Sequence, residues 1–190
     1  MNIERRSLGT LAAEAGSLVG YASVFNSLSE DLGGFKERIH PQAFNRSLGS
    51  GFDVRALVNH DTTLVLGRRS NNTLQLTVDT KGLKVSIVPP KTSYANDLLE
   101  LVSRGDVSQM SFGFIIAPGG EAWSSEDGLK VRTVTDLDLL EVSVVSIPAY
   151  SDTTVALRNL QDWNRQLDSR LKARGSLIRR LELSLVIGGV

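Results

Sequence analysis

Between residues 17 and 147, apolar and polar side chains exchange places in short runs bounded by turn residues, a strand-rich pattern. SLVGYASVF (17–25) alternates as a strand, and residues 30–34 turn with two glycines. PQAFNRS (41–47) reads as a short helix opened by proline, and VRALVN (54–59) as a short apolar strand. TLQLTV (73–78), DTKG (79–82) and LKVSIV (83–88) spell a hairpin. Pro89-Pro90 interrupts the chain. Residues 93–104 then place Tyr94, Leu98, Leu101 and Val102 at helical spacing, with Gly105 as the C-cap. VSQMSFGFII (107–116) is a strand, 118–128 reads as a polar loop, and 129–136 and 137–147 as two more strands. The expected fold is mainly β with helices (α+β): an antiparallel, curled or closed barrel of about six or seven strands flanked by short helices.

The period changes near residues 151–159. Beyond it Leu160, Trp163, Leu167, Leu171, Ile178, Leu181 and Leu185 recur mostly at spacings of three and four, one apolar face of an amphipathic helix. The expected organisation is an N-terminal segment (1–16), a β-rich domain (17–158) and a helical tail (159–190). Charge divides at the same place. The 190 residues carry 21 Lys+Arg and 21 Asp+Glu, yet from Arg158 onward seven basic residues face three acidic ones, a net +4. The preceding 157 residues therefore carry −4. The tail packs on its own domain or serves as a partner-binding, removable segment; the pattern leaves both open.

Composition narrows the chemistry. With no cysteine, a thiol nucleophile, a Cys-ligated zinc site and a disulfide framework are excluded. The zero net charge offers no electrostatic case for nucleic acid, and no run of about 18 apolar residues suggests a membrane span. Phosphate-binding loops, HExxH and GxSxG are absent. Only two histidines occur, His40 and His60. His60 closes an apolar strand between Asn59 and Asp61, where it faces a cleft or serves a turn. Ser111 stands between Met110 and Phe112 on an apolar strand, followed by Gly113; a buried hydroxyl there requires a partner, whether a strand carbonyl or a base. Glu141 interrupts the apolar strand LDLLEVSVV, and a carboxylate in such a place is paired with an arginine or has chemical work to do. His40 precedes Pro41 where a helix begins.

Five stretches carry a resemblance: GYASVFNSLSEDLGGFKERIHPQAF (20–44), DVRALVNHD (53–61), LGRRSNNTLQLTVDTKGL (66–83), SRGDVSQMSFGF (103–114) and DLDLLEVSVVSIPAYSDTTVALR (136–158). In order, they resemble the prohead proteases of tailed bacteriophages, of HK97 type, related in fold to the herpesvirus maturation proteases. The NHD, SFGF and LxEVSVVxxPAY signatures are the most specific. The resemblance implies a serine endopeptidase with His60 as base, Ser111 as nucleophile and Glu141 as third member, or a dyad without it. It implies no cofactor and no metal. It implies action inside the procapsid in the host cytoplasm, on the scaffold-like part of the major capsid protein and on the enzyme itself, with possible self-association. A non-catalytic assembly or scaffolding protein is the alternative, and it has no need of His60 with Ser111. Oxyanion donors would come from the 118–120 loop or from a main-chain N–H beside Ser111.

Overall fold

A computed structural model describes residues 3–146. The boundary expected near 151–159 and the tail at 159–190 lie outside the described residues. The described chain is mostly β: eleven strands, two α-helices and one 3-10 turn. In chain order the strands are β1 (Glu4–Glu14), β2 (Ser17–Val24), β3 (Lys36–Ile39), β4 (Arg55–Val58), β5 (Asp61–Arg68), β6 (Leu74–Val78), β7 (Gly82–Ile87), β8 (Gln109–Ile116), β9 (Glu121–Glu126), β10 (Leu129–Val134) and β11 (Leu137–Val145). Helix α1 (Asn45–Gly49) follows β3, and α2 (Ser93–Arg104) follows β7.

Eight strands form one sheet in the order β5-β4-β11-β8-β1-β2-β7-β6, and β3-β10-β9 form a second. The larger sheet has to curl. Its edge strands β5 and β6 are joined by only five residues, 69–73. Flat, the two edges would stand about 33 Å apart at the usual inter-strand spacing, while six peptide links reach about 20 Å. The edges do meet: the Arg68 N–H donates to Thr73 Oγ1 (2.8 Å) and the Thr73 N–H to the Arg68 carbonyl (3.2 Å). A Cβ on Gly67 would lie 2.6 Å from the Thr73 carbonyl oxygen, so the seam requires glycine there. The result is a nearly closed barrel, as the hydrophobic pattern implied.

The interior is filled by one apolar cluster that includes Leu18, Phe44, Phe112, Phe114, Val142 and Val144. Phe44, just ahead of α1, meets Phe112 edge-on at 5.6 Å, and Phe112 stacks on Phe114 at 5.0 Å. Helix α2 presents Ala95, Leu98 and Val102 to the core. It ends where expected, at Gly105 with φ +83°.

Three differences from the sequence pattern have physical causes. Residues 1–16, expected as a separate segment, contain β1, which lies inside the larger sheet between β8 and β2. Its polar positions explain the miss. Glu4 and Arg6 are buried not against apolar groups but in an ion cluster with Glu37 of β3 and Arg132 of β10. Arg6 reaches Glu37 at 2.7 Å and Glu4 at 2.5 Å; Arg132 bridges to both acids and lies over Phe35. Two cations face two buried anions, with the half-buried Glu121 also reaching Arg132 at 3.4 Å, and the cluster fastens the small sheet to the large one. Residues 118–128, expected as a loop, contain β9, which turns at Asp127-Gly128 into β10. β9 is an edge strand of the small sheet, so half-polar residues such as Ser124 and Ser125 serve there. β3 and β5 also escape the pattern, which is why the strands outnumber the six or seven expected.

Candidate active site

The centre of the site is β11. It pairs antiparallel with β8 and parallel with β4. Near its start Leu139 stands opposite Phe114, in the core. The register then slips: Glu141 stands opposite Gly113, so two steps on β11 match one on β8. Leu140 is the extra residue of a β-bulge. In a regular strand Glu141 would follow Leu139 onto the core face. The bulge turns it to the opposite face and lets Val142 and Val144 take over the core positions. The Leu139 N–H beside the bulge donates to Ser47 Oγ of α1 (2.9 Å), so the irregularity is hydrogen-bonded.

Residues paired across an antiparallel ladder share a face. Ser143 is opposite Ser111, and Glu141 is opposite Gly113. All four therefore lie on the face away from the aromatic core. Ser111 and Ser143 are fully buried.

His60 reaches this face from β4. Val58 pairs with Asp61 across a two-residue turn, Asn59-His60, with φ of +49° and +61°. Positive φ at both central residues is the geometry that suits a tight hairpin. Asn59 tolerates it well; His60 adopts it at a cost. The turn is held in place. The Asn59 N–H donates to the Val144 carbonyl (2.9 Å), and Asn59 Oδ1 accepts from the Ser146 N–H (2.9 Å). The His60 N–H donates to Ser143 Oγ (3.2 Å).

The His60 ring pairs with Glu141, Nδ1 to Oε1 at 2.6 Å, with side chains 12% and 14% exposed. An ionised carboxylate only accepts, so in the neutral imidazole Nδ1 carries the hydrogen and Nε2 the lone pair. The second carboxylate oxygen accepts from Ser143 Oγ at 2.6 Å. Two buried polar atoms on this face, His60 Nε2 and Ser111 Oγ, have no hydrogen-bond partner among the described residues. Gly113 has a steric reason to be glycine, because a Cβ there would lie 2.4 Å from Glu141 Oε1.

Of the residues singled out from sequence, His60 and Glu141 are therefore in contact, and Ser111 shares their sheet face. His40 is elsewhere: its Nδ1 accepts from the Gln42 N–H (3.2 Å) and its own N–H donates to Val134. The 118–120 loop lies past the far end of β8, seven to nine residues from Ser111 and more than about 15 Å away along the strand. That distance removes it as an oxyanion donor. Ser143 is a site residue beyond those the sequence singles out. Its signal was a second polar residue two places after Glu141 in an otherwise apolar strand. Among the described residues no group of three or more His, Asp or Glu could hold a metal ion.

A mostly β, barrel-like domain that brings serine, histidine and a carboxylate to one sheet face has the residue types of a serine hydrolase. The chain belongs to the caudovirus prohead serine protease family, whose profile matches residues 1–166. It is thus a serine peptidase family member with a role in capsid maturation. The match includes β1, so the family's domain begins ahead of residue 17. No curated protein and no solved structure matches the chain.

Proposed function

We propose that this protein is the endopeptidase of a phage procapsid. It cleaves the scaffold-like part of the major capsid protein and then itself, with Ser111 as nucleophile, His60 as general base and Glu141 as the group that orients the base. The observation that carries this reading is the His60–Glu141 pair. It commits Nδ1 and leaves Nε2 without a partner, on the sheet face that also holds the unpartnered Ser111 hydroxyl.

In this reading Ser111 Oγ attacks the scissile carbonyl carbon as Nε2 takes its proton. Glu141 stabilises the imidazolium and fixes its orientation. The imidazolium then protonates the departing amine, leaving an acyl-enzyme. Water, deprotonated by the same nitrogen, releases the new carboxylate and restores the serine. Ser111 has no exposed surface, so neighbouring groups have to move before a peptide carbonyl reaches it.

The test is Ser111→Ala co-expressed with the phage's major capsid protein, with His60→Asn beside it. Asparagine is the informative choice because it tolerates the positive φ of the turn. Both variants should fold and leave the capsid protein and the protease uncut. Processing at the wild-type rate by Ser111→Ala would remove the nucleophile assignment. Glu141→Gln should fold and lower turnover by about 10³- to 10⁴-fold if it acts as the triad carboxylate does; a near-normal rate would reduce the site to a dyad.

A further inference from the structure

We propose that Ser143 is a positioning residue of this site, one whose hydroxyl locks both the base and its carboxylate partner into working geometry. The inference rests on the roles just given to Ser111, His60 and Glu141.

Ser143 Oγ is the only described group that touches both halves of the His60–Glu141 pair. It donates to Glu141 Oε2 (2.6 Å) and accepts the main-chain N–H of His60 (3.2 Å). Each contact answers a specific need. Glu141 is bonded by His60 through Oε1 alone, so without a second donor the carboxylate could rotate about its Cγ–Cδ bond. Ser143 removes that freedom from one side, and the bare Cα of Gly113 leaves the space the carboxylate fills on the other. His60 occupies a left-handed backbone conformation that a non-glycine residue holds only when its surroundings fix it. The Ser143 oxygen captures the N–H of that residue. Ser143 is fully buried and stands directly across the ladder from Ser111, so the hydroxyl that sets the base and the hydroxyl that the base activates are cross-strand neighbours.

The same contacts distinguish Ser143 from a second nucleophile. Its proton is already directed at Glu141 and its oxygen accepts from the main chain. The Ser111 oxygen has neither engagement.

The experiment compares Ser143→Ala, Ser143→Thr and Ser143→Val with the parent, using the purified major capsid protein as substrate. The alanine variant should lose about 10- to 100-fold in kcat, up to the loss expected when a reacting group is misplaced by about 1 Å, with KM within about twofold. Threonine restores a hydroxyl, and valine has threonine's shape without it. Threonine should therefore recover most of the activity and valine should not, although both impose the same bulk on the strand. The second readout needs no activity. In a Ser111→Ala background the Nδ1 proton of His60 should resonate far downfield, and with only two histidines its assignment is direct. Adding Ser143→Ala should move or broaden that signal. A wild-type kcat for Ser143→Ala, equal activity of the threonine and valine variants, or an unmoved resonance overturns the positioning role. Attachment of a serine-reactive phosphonate to Ser143 rather than Ser111 overturns it as well. If Ser111→Ala itself cleaves normally, the failure lies instead with the parent reading.

Discussion

Gly113→Ala tests the site through a single methyl group placed where no catalytic atom is changed. Gly113 lies inside β8 without positive φ, so alanine meets no backbone obstacle. The obstacle is Glu141. The added Cβ would sit 2.4 Å from Oε1, 3.1 Å from Cδ and 3.2 Å from Cγ. Ordinary contact begins near 3.4 Å, so Oε1 has to retreat by 3.4 minus 2.4, or about 1.0 Å. A free carboxylate would swing aside at little cost. This one is held by His60 Nδ1 and by Ser143, each at 2.6 Å. A retreat of about 1 Å directed away from the ring would stretch the His60 contact to about 3.6 Å, beyond a hydrogen bond, and a retreat in another direction would bend it.

If Glu141 orients His60 as proposed, a displacement of that size lowers turnover about 10²-fold. Stability should change little. Alanine gains roughly 0.5–1 kcal/mol over glycine in a strand, against a loss of similar size from the disturbed hydrogen bonds. The assay is cleavage of purified major capsid protein alongside a thermal melt. We expect a fall of about 100-fold in kcat at a nearly constant Tm. A variant with kcat within about threefold of the parent and an unchanged His60 Nδ1 resonance would refute the claim that the Glu141 position matters to the chemistry.

Three further outcomes follow from other parts of the fold. Burial alone would lift the carboxyl of Glu37, but Arg6 and Arg132 override it and hold it below its ordinary value of 4.5. A depressed carboxyl contributes stability that is complete above its unfolded value and lost as pH falls through the folded one. Urea midpoints should therefore be level down to about pH 5 and drop below about 4.5. Glu37→Gln should cost about 3–5 kcal/mol at neutral pH and flatten the acid drop; curves parallel to the parent would refute this. Gly105→Ala, at the left-handed cap of α2 (φ +83°), should cost about 1 kcal/mol in denaturant titration and leave kcat/KM unchanged, since the cap touches no site residue. Truncation after Arg158 removes residues 159–190, a segment of net charge +3; if that segment recruits the enzyme to capsid or scaffold, packaged copy number falls while peptide cleavage persists, and normal packaging would exclude it.

How much of this was legible in the chain depended on whether a residue's partners were local. Helix α2 and its glycine cap, and the β6–β7 hairpin, declare themselves because spacing, turn residues and caps all lie within a dozen positions. β1 does not, because Glu4 and Arg6 are buried by charges from β3 and β10, some 31 to 128 residues away. A hydrophobicity pattern has no means of showing that a buried position is polar and neutralised from afar. The site falls between these cases. His60, Ser111 and Glu141 each stood out as a polar residue in an apolar setting, and the resemblance joined them; their mutual geometry depended on a register slip.

That slip does leave a trace. In LDLLEVSVV the core positions are Leu137 and Leu139, then Val142 and Val144. The alternation changes phase at the doublet Leu139-Leu140, where a period-two strand should have placed a polar residue. Read as a bulge, the doublet predicts that Glu141 leaves the core face and that Ser143 follows it, since residues two apart share a side. A carboxylate and a hydroxyl would then stand together opposite Gly113 and Ser111. The bulge at Leu140 thus absorbs the extra residue and keeps Glu141 on the face where it can reach His60. Deleting Leu140 should therefore leave a regular strand with Leu139, Val142 and Val144 on the core face and Glu141 and Ser143 still opposite, so the variant should fold, and a thermal melt showing loss of the folded state would refute this reading of the bulge.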